Sequence, residues 1–213
     1  MEDSINLRKE YKKDQLSESQ MNSNPIIQFE DWFKKASESA INEPYAMTLA
    51  TCDLAGRPSA RIVLLRHYSE QGFVFFTNYA SRKGMDLDDN PQGALLFYWD
   101  LLEQQIRIEG LVKEVTSKLS DEYFNSRPKE SRIGALASNQ SRYLESRDEL
   151  DNKYAELTEK YKNTEKIPRP KDWGGYILQP NYFEFWQGGA HRLHDRMAYI
   201  KSKCVWSMKR LAP

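Results

Sequence analysis

The spacing of hydrophobic and polar positions changes several times along the chain. From Ile27, the apolar positions Phe29, Trp32, Phe33, Ala36 and Ala40 recur at helical spacing and predict an amphipathic helix up to Pro44. The period then shortens. Tyr45–Cys52, Ala60–Arg66, Phe73–Asn78 and Ala94–Trp99 are short β-branched or aromatic runs. Turn residues at Asp53–Pro58 and Glu70–Gly72 separate them, so they read as successive antiparallel strands. Gln105–Val115 alternates Ile106 and Ile108 with Arg107 and Glu109, the pattern of a half-exposed strand. Leu119–Ser126 predicts a short helix ended near Arg127-Pro128. Tyr143–Lys162 predicts the longest helix, with the stripe Leu150, Tyr154, Leu157, Tyr161. Beyond Ile167-Pro168-Arg169-Pro170, the segments Gly175–Phe185, Met197–Lys201 and Cys204–Arg210 read as closing strands. The whole predicts a mainly β chain with added helices (α+β), an antiparallel barrel with helical additions. Residues 1–24 are polar and Ser/Asn-rich, the composition of a mobile arm or one that folds onto something else. Residues 25–213 read as a single domain.

Composition narrows the class. The chain has 213 residues, with 31 Lys+Arg against 31 Asp+Glu and a formal net charge of +0. A protein that binds nucleic acid carries a basic excess, so no nucleic-acid partner is expected. Any anion site must be a local cluster of cations. Aromatic residues are 12% of the chain, enough rings to dominate a core or an interface. Residues 1–15 hold no apolar run of the kind a secretory signal needs. The longest apolar runs, Ile62–Leu65 and Ala94–Trp99, fall far short of the ~20 residues that span a bilayer. No membrane partner is expected, and the expected location is cytoplasmic. Cys52 and Cys204 lack CxxC spacing and read as free thiols. The absence of GxGxxG, Walker A and GxSxG motifs removes the usual dinucleotide, nucleotide and serine-hydrolase assignments.

Cations do cluster locally. Arg61 and Arg66 bracket Ile62-Val63-Leu64-Leu65, and a turn bearing Ser81-Arg82-Lys83 follows; such a set can hold a phosphate by charge-assisted hydrogen bonds. By spacing alone, a core strand with solvated charges at its ends is the better account. Alternation also puts Arg61 and Arg66 on opposite faces, so one site using both needs a bulge, a strand end or a second subunit. Tyr123, Arg127 and Ser131 fall at i, i+4 and i+8 and would share a face of one continuous helix. Pro128 argues against continuity, but a helix starting just after Arg127 would favour an anion through its free N–H groups. A plain helix C-terminus with a cation near its dipole accounts for this set equally well. The third set is Trp186-Gln187-Gly188-Gly189 with Arg192, His194 and Arg196. If the chain from Arg192 is extended, those three donors share a face, opposite Leu193 and Met197, which predicts a pocket for an anion or a planar ring. His191 and His194 have no third ligand at recognisable spacing, so no metal is expected.

The motifs Arg61-Ile-Val-Leu-Leu, Phe76-Thr77-Asn78, Ser81-Arg82-Lys83, Ser126-Arg127-Pro128, Ser131-x-Ile133-Gly134-Ala135, Phe185-Trp186-Gln187-Gly188, Arg192-Leu193-His194-Asp195-Arg196 and Arg210-Leu-Ala-Pro213 occur in one order. In that order the chain, from about Leu7 onward, resembles the pyridoxine/pyridoxamine 5′-phosphate oxidase family. The resemblance implies an FMN-binding split β-barrel and a homodimer with FMN at the interface. It implies flavin contacts from Arg61, Ile62, Val63, Leu64, Leu65, Arg66, Phe76, Thr77, Ser81, Arg82, Lys83, Gln105, Gln140, Ser141, Trp186 and Arg196, some across the dimer. Arg66, Tyr123, Arg127 and Ser131 would hold a substrate phosphate, Arg192 and His194 would cover its pyridine ring, and Arg8 with Tyr11 would close the site. Arg192, His194 and Arg196 form the implied catalytic set. The implied reaction is oxidation of pyridoxamine or pyridoxine 5′-phosphate by O2 to pyridoxal 5′-phosphate and hydrogen peroxide. Its alternatives are a related flavin oxidase on another planar substrate and a non-catalytic carrier of FMN or pyridoxal phosphate. Arg66 departs from the family, which usually has Lys there; a planar fork replaces a point donor.

Overall fold

The structure, a computed structural model, describes residues 10–213. Helix α1 (Pro25–Glu38) opens at Asn24, whose side chain accepts the Ile26 N–H at 2.9 Å, with Pro25 in the first turn where no N–H is needed. It ends earlier than the apolar spacing predicts. The Ser39 N–H and hydroxyl both bond back to the Ala36 carbonyl and stop the ladder before Pro44.

Strands β1 (Ala46–Cys52), β2 (Pro58–Leu64), β3 (His67–Ser69) and β4 (Gly72–Asn78) precede helix α2 (Arg82–Asp89). Strands β5 (Gln92–Trp99) and β6 (Gln104–Glu114) lead to helices α3 (Ser117–Ser126), α4 (Lys129–Ala137) and α5 (Arg147–Tyr161). Strands β7 (Trp173–Gln187), β8 (Asp195–Ser202) and β9 (Val205–Leu211) complete the described fold. The nine strands form one antiparallel sheet in the order β2-β1-β5-β6-β7-β4-β3, with β8 and β9 continuing from β7. Just past β2, the Arg66 N–H donates to the Val74 carbonyl on β4 at 2.9 Å, so the two ends of this path curl toward each other. Along the edge away from β6, long β7 pairs with β4 through Trp173–Leu178 and with β8 through Tyr182–Gln187. The switch falls at a bulge, where Gly110 lies so close to the Gln179 carbonyl that a Cβ would sit 2.1 Å away.

Helix α1 plugs the curled sheet with aromatic rings. Phe29 is 0% exposed and meets Phe73, Tyr68 and Phe97 at centroid distances of 4.8, 5.1 and 5.3 Å, while Trp32 packs edge-on to Phe185 at 5.3 Å. A smaller cluster of Phe124, Ile133, Ile167 and Trp173 seats the helical additions, with Tyr154, Leu157 and Tyr161 of α5 against it. Helix α5 starts at Arg147 rather than Tyr143, because Ser146 is its N-cap residue and acidic Asp148 and Glu149 fill the first turn. Residues 10–24 lie on the barrel: Leu16 and Met21 pack on its core, and the Tyr199 hydroxyl donates to the Asn22 carbonyl at 2.7 Å. Among the described residues no helix is long and apolar enough to cross a membrane.

Candidate functional site

A cavity of about 320 Å³ opens between β2, β4, α2 and α3. Arg61, Ile62, Val63, Leu64, Arg66, Phe76, Thr77, Lys83, Tyr123, Arg127 and Gln140 all line it, together with Trp173. Arg61 and Arg66 reach the same space because β2 ends at Leu64, and the chain leaves strand alternation before Arg66. No acidic residue among the described ones lines the cavity. Lys83 is 8% exposed, and its Nζ donates only to neutral oxygens: Gln140 Oε1 at 2.6 Å, and Thr77 Oγ1 and Ser81 Oγ at 3.2 Å. Burial, then the nearby charge of Arg61, pulls its pKa down to about 8. Ser81, fully buried, caps α2 rather than facing the cavity. Arg82 points to solvent and Leu65 into the core. The segment expected as a turn is therefore the first turn of a helix, with Lys83 on its inner side.

On the opposite wall, Phe76 stacks on Tyr123 at 3.9 Å, and the Arg127 guanidinium lies over the Trp173 ring at 4.8 Å. Arg66 sits near two rings, 5.7 Å from Tyr45 and 5.9 Å from Tyr123. Arg127 Nη1 is buried with no hydrogen-bond partner. Burial, opposed in part by Tyr123 and reinforced by Arg66, lowers the Arg127 pKa. Tyr123, Arg127 and Ser131 do not share one helix: α3 ends at Ser126, and α4 begins at Lys129 beyond the Pro128 break. Ser131 instead lines an adjoining cavity that shares Arg127, Gln140 and Trp173 with the first. Ser141 is exposed and left-handed at φ 70°.

The remaining predicted residues gather elsewhere. Gln105, Trp186 and Arg196 stand side by side on β6, β7 and β8, paired in register. Arg196 is fixed at both ends, its Nε donating to Glu184 Oε1 and its Nη1 to the Ala212 carbonyl, each at 2.8 Å. The extended geometry expected from Arg192 onward is not found. His191 and Arg192 are left-handed, at φ 55° and 64°, within a short turn over Ala190–Arg192, and β8 starts at Asp195. The reversal leaves Arg192 exposed and brings His194 against Trp186, with ring centroids 4.7 Å apart. His194 Nδ1 accepts the Gly189 N–H at 3.1 Å, and burial, then Arg192, lowers the imidazole pKa. Tyr11 closes this wall, edge-on to Trp186 at 5.6 Å and to His194 at 5.8 Å. It lies so near Gly188 that a Cβ there would meet its ring at 2.7 Å. Glu103 Oε2 holds the backbone that follows, accepting the Lys12 and Lys13 N–H groups at 2.9 and 3.1 Å. Arg8 lies outside the described residues.

Sequence reasoning missed Trp173, Tyr45, Glu184 and Asp86. Trp173 and Tyr45 look like ordinary strand aromatics. Asp86 follows Arg82-Lys83 by one helical turn, a signal usable only once α2 is known to be a helix.

A family profile described as pyridoxamine 5′-phosphate oxidase matches residues 33–161, and one described as the pyridoxine 5′-phosphate oxidase C-terminal dimerisation region matches residues 173–213. A pyridoxine/pyridoxamine 5′-phosphate oxidase of Bordetella pertussis is 52% identical over 208 residues, covering 97% of this chain and 98% of the relative. Its counterpart from Acaryochloris marina is 49% identical over 207 residues, covering 97% and 94%. Among solved structures, PhzG from Burkholderia lata 383, in complex with tetrahydrophenazine-1-carboxylic acid, matches with a TM-score of 0.88 at 31% identity over 94% of this chain and 98% of that one. A pyridoxamine 5′-phosphate oxidase-related, FMN-binding protein from Nostoc punctiforme has the same fold, with a TM-score of 0.69 at 16% identity over 89% and 98% of the two chains. The mixed α+β architecture is thus the split barrel, and the chain belongs to the pyridoxamine 5′-phosphate oxidase family.

Proposed function

We propose that the chain is an FMN-dependent oxidase that converts pyridoxamine or pyridoxine 5′-phosphate to pyridoxal 5′-phosphate with O2, releasing hydrogen peroxide, and that it works as a homodimer. The observation that carries this reading is a cavity lined by Arg61, Arg66, Lys83 and Arg127 and by no acidic residue among those described. Lys83 is buried and Arg127 half-buried, neither in an ion pair among the described residues, and an anionic ligand relieves the cost of such charges. The unpartnered Arg127 Nη1 and the depressed Lys83 fit phosphate groups. Two phosphates, one on FMN and one on the vitamer, account for four cations. A PhzG-like oxidation of a planar substrate without phosphate is the second reading, favoured by that structural likeness; it leaves Tyr123 and Arg127 without a task.

Arg61 and Lys83 would hold the FMN phosphate, with Ser81 fixing the start of α2 and Arg82 left at the surface, while Thr77, Gln140 and the Val63–Leu65 backbone would flank the ribityl chain. When bound, FMN supplies a two-electron acceptor that O2 reoxidises. Arg66, Tyr123, Arg127 and Ser131 hold the vitamer phosphate and so place its 4′ carbon. Arg192 and His194 orient the pyridine ring; with Nδ1 occupied by the Gly189 N–H, His194 offers Nε2 to the ligand. Arg196, held by Glu184, would supply positive charge that favours the reduced, anionic state of a bound flavin. Trp186 and Tyr11 exclude water. Gln105, Trp186 and Arg196 do not line the cavity of their own chain, so in this reading a second copy brings them to it. The similarity of residues 173–213 to a dimerisation region supports that arrangement. Residues 25–213 act as one domain and residues 1–24 as the arm that closes it. The test compares vitamers with and without phosphate: pyridoxal 5′-phosphate and hydrogen peroxide should form one for one from the phosphorylated pair. Equal turnover of unphosphorylated pyridoxine would reject the assignment of Arg127 and Tyr123.

A further inference from the structure

We propose that Asp86 is a positioning residue for Arg61, a buried carboxylate that aims two hydroxyl groups so that they accept from the guanidinium and fix it toward the FMN phosphate. The inference rests on the reading of the cavity as the FMN site. Asp86 lies on α2, is 7% exposed and does not line the cavity. Its Oδ2 accepts the Thr51 hydroxyl at 2.6 Å and the Ser59 hydroxyl at 2.8 Å. Thr51 and Ser59 face each other across the β1–β2 ladder, and Arg61 is two residues beyond Ser59 on the same face of β2.

Proton direction follows from the donor inventory. An ionised carboxylate only accepts, while a hydroxyl has one proton and two lone pairs. With both hydroxyl protons drawn to Asp86, the lone pairs turn outward and meet Arg61. Arg61 Nη1 donates to Thr51 Oγ1 at 2.8 Å and to the Leu49 carbonyl at 3.2 Å, and Nη2 donates to Ser59 Oγ. The carboxylate itself stays 3.8 Å from Nη2. The guanidinium is therefore held through neutral oxygens, and its Nε–H is not used in these bonds. Helix α2 governs both cations of the wall, carrying Lys83 directly and locking Arg61 through Asp86 one turn further on.

Asp86→Asn removes the negative charge that draws both hydroxyl protons. The amide keeps one carbonyl oxygen, a weaker acceptor than the carboxylate, so the two hydroxyls, and Arg61 through them, are held less firmly. Apoprotein is titrated with FMN and with riboflavin, which differ by the phosphate, and flavin fluorescence is followed. The wild type should prefer FMN. D86N should weaken FMN binding about 10- to 100-fold while riboflavin binding changes less than about 2-fold. Thr51→Val, close in shape and lacking the hydroxyl, should give the same selective loss and carries the test if D86N does not fold. Adding D86N to T51V should cost less than the two single losses combined. Equal loss for both flavins, or no loss for either, overturns the proposal. A wild type that binds both flavins alike rejects the FMN reading beneath it.

Discussion

Lys83 links charge to ligand most directly. Burial and Arg61 hold it at about 8, against 10.5 for an unperturbed lysine. Below about pH 8 both the folded and unfolded chains carry this proton; between about 8 and 10.5 only the unfolded chain does. The ligand-free fold therefore gains stability as pH rises through that window. A phosphate in the cavity favours the ammonium, so FMN affinity should fall as pH rises above about 8. Fluorescence titration of apoprotein at stepped pH reads this fall, and Lys83→Met should flatten it along with a loss of affinity. Arg192 is exposed and touches no part of the phosphate cavity. Arg192→Ala should cut turnover by about 10- to 100-fold, a charged contact to substrate being worth roughly 1.5–3 kcal/mol, and leave flavin retention unchanged. Normal steady-state kinetics in that variant would remove Arg192 from the substrate.

At the scale of elements, helix α2 depends on Gly84. A Cβ there would lie 1.9 Å from the Tyr79 carbonyl oxygen and 2.5 Å from its carbon, both backbone atoms that have little room to move. Gly84→Ala should displace the helix, lower stability by about 2–4 kcal/mol in denaturant unfolding and release FMN with it. The same helix marks where sequence reasoning stopped. Its eight residues include Gly84 and three aspartates, too short and too polar for a periodic signal, so Ser81-Arg82-Lys83 reads as a turn. The strands were readable because β-branched and aromatic runs alternate between turn residues, as in Tyr45–Cys52 followed by Asp53–Pro58. The left-handed His191 and Arg192 carried no warning, since that conformation is announced by Gly or Asn and here belongs to other residues. Arg61, Arg66, Lys83 and Arg127 were visible as separate clusters of charge. Their convergence depends on β2 ending before Arg66 and on α3 folding back over β4, which no local pattern encodes.

On the scale of the whole molecule, the ring cluster around α1 ties both ends of the sheet path to one core. Phe29→Ala should lower stability by about 3–5 kcal/mol, read as a fall in Tm, and should weaken flavin binding only in proportion to the unfolded fraction. The curled sheet leaves the phosphate cavity on one part of the chain and the Gln105–Trp186–Arg196 row on another. In the proposed dimer each copy completes the other, which is how a neutral chain concentrates its cations on two phosphorylated ligands. The most direct measurement of that account mixes FMN-loaded protein with pyridoxamine 5′-phosphate in the absence of air. The account predicts that the yellow flavin absorbance bleaches, returns when air is admitted, and leaves pyridoxal 5′-phosphate in solution. Flavin that stays oxidised with both phosphorylated vitamers would contradict it.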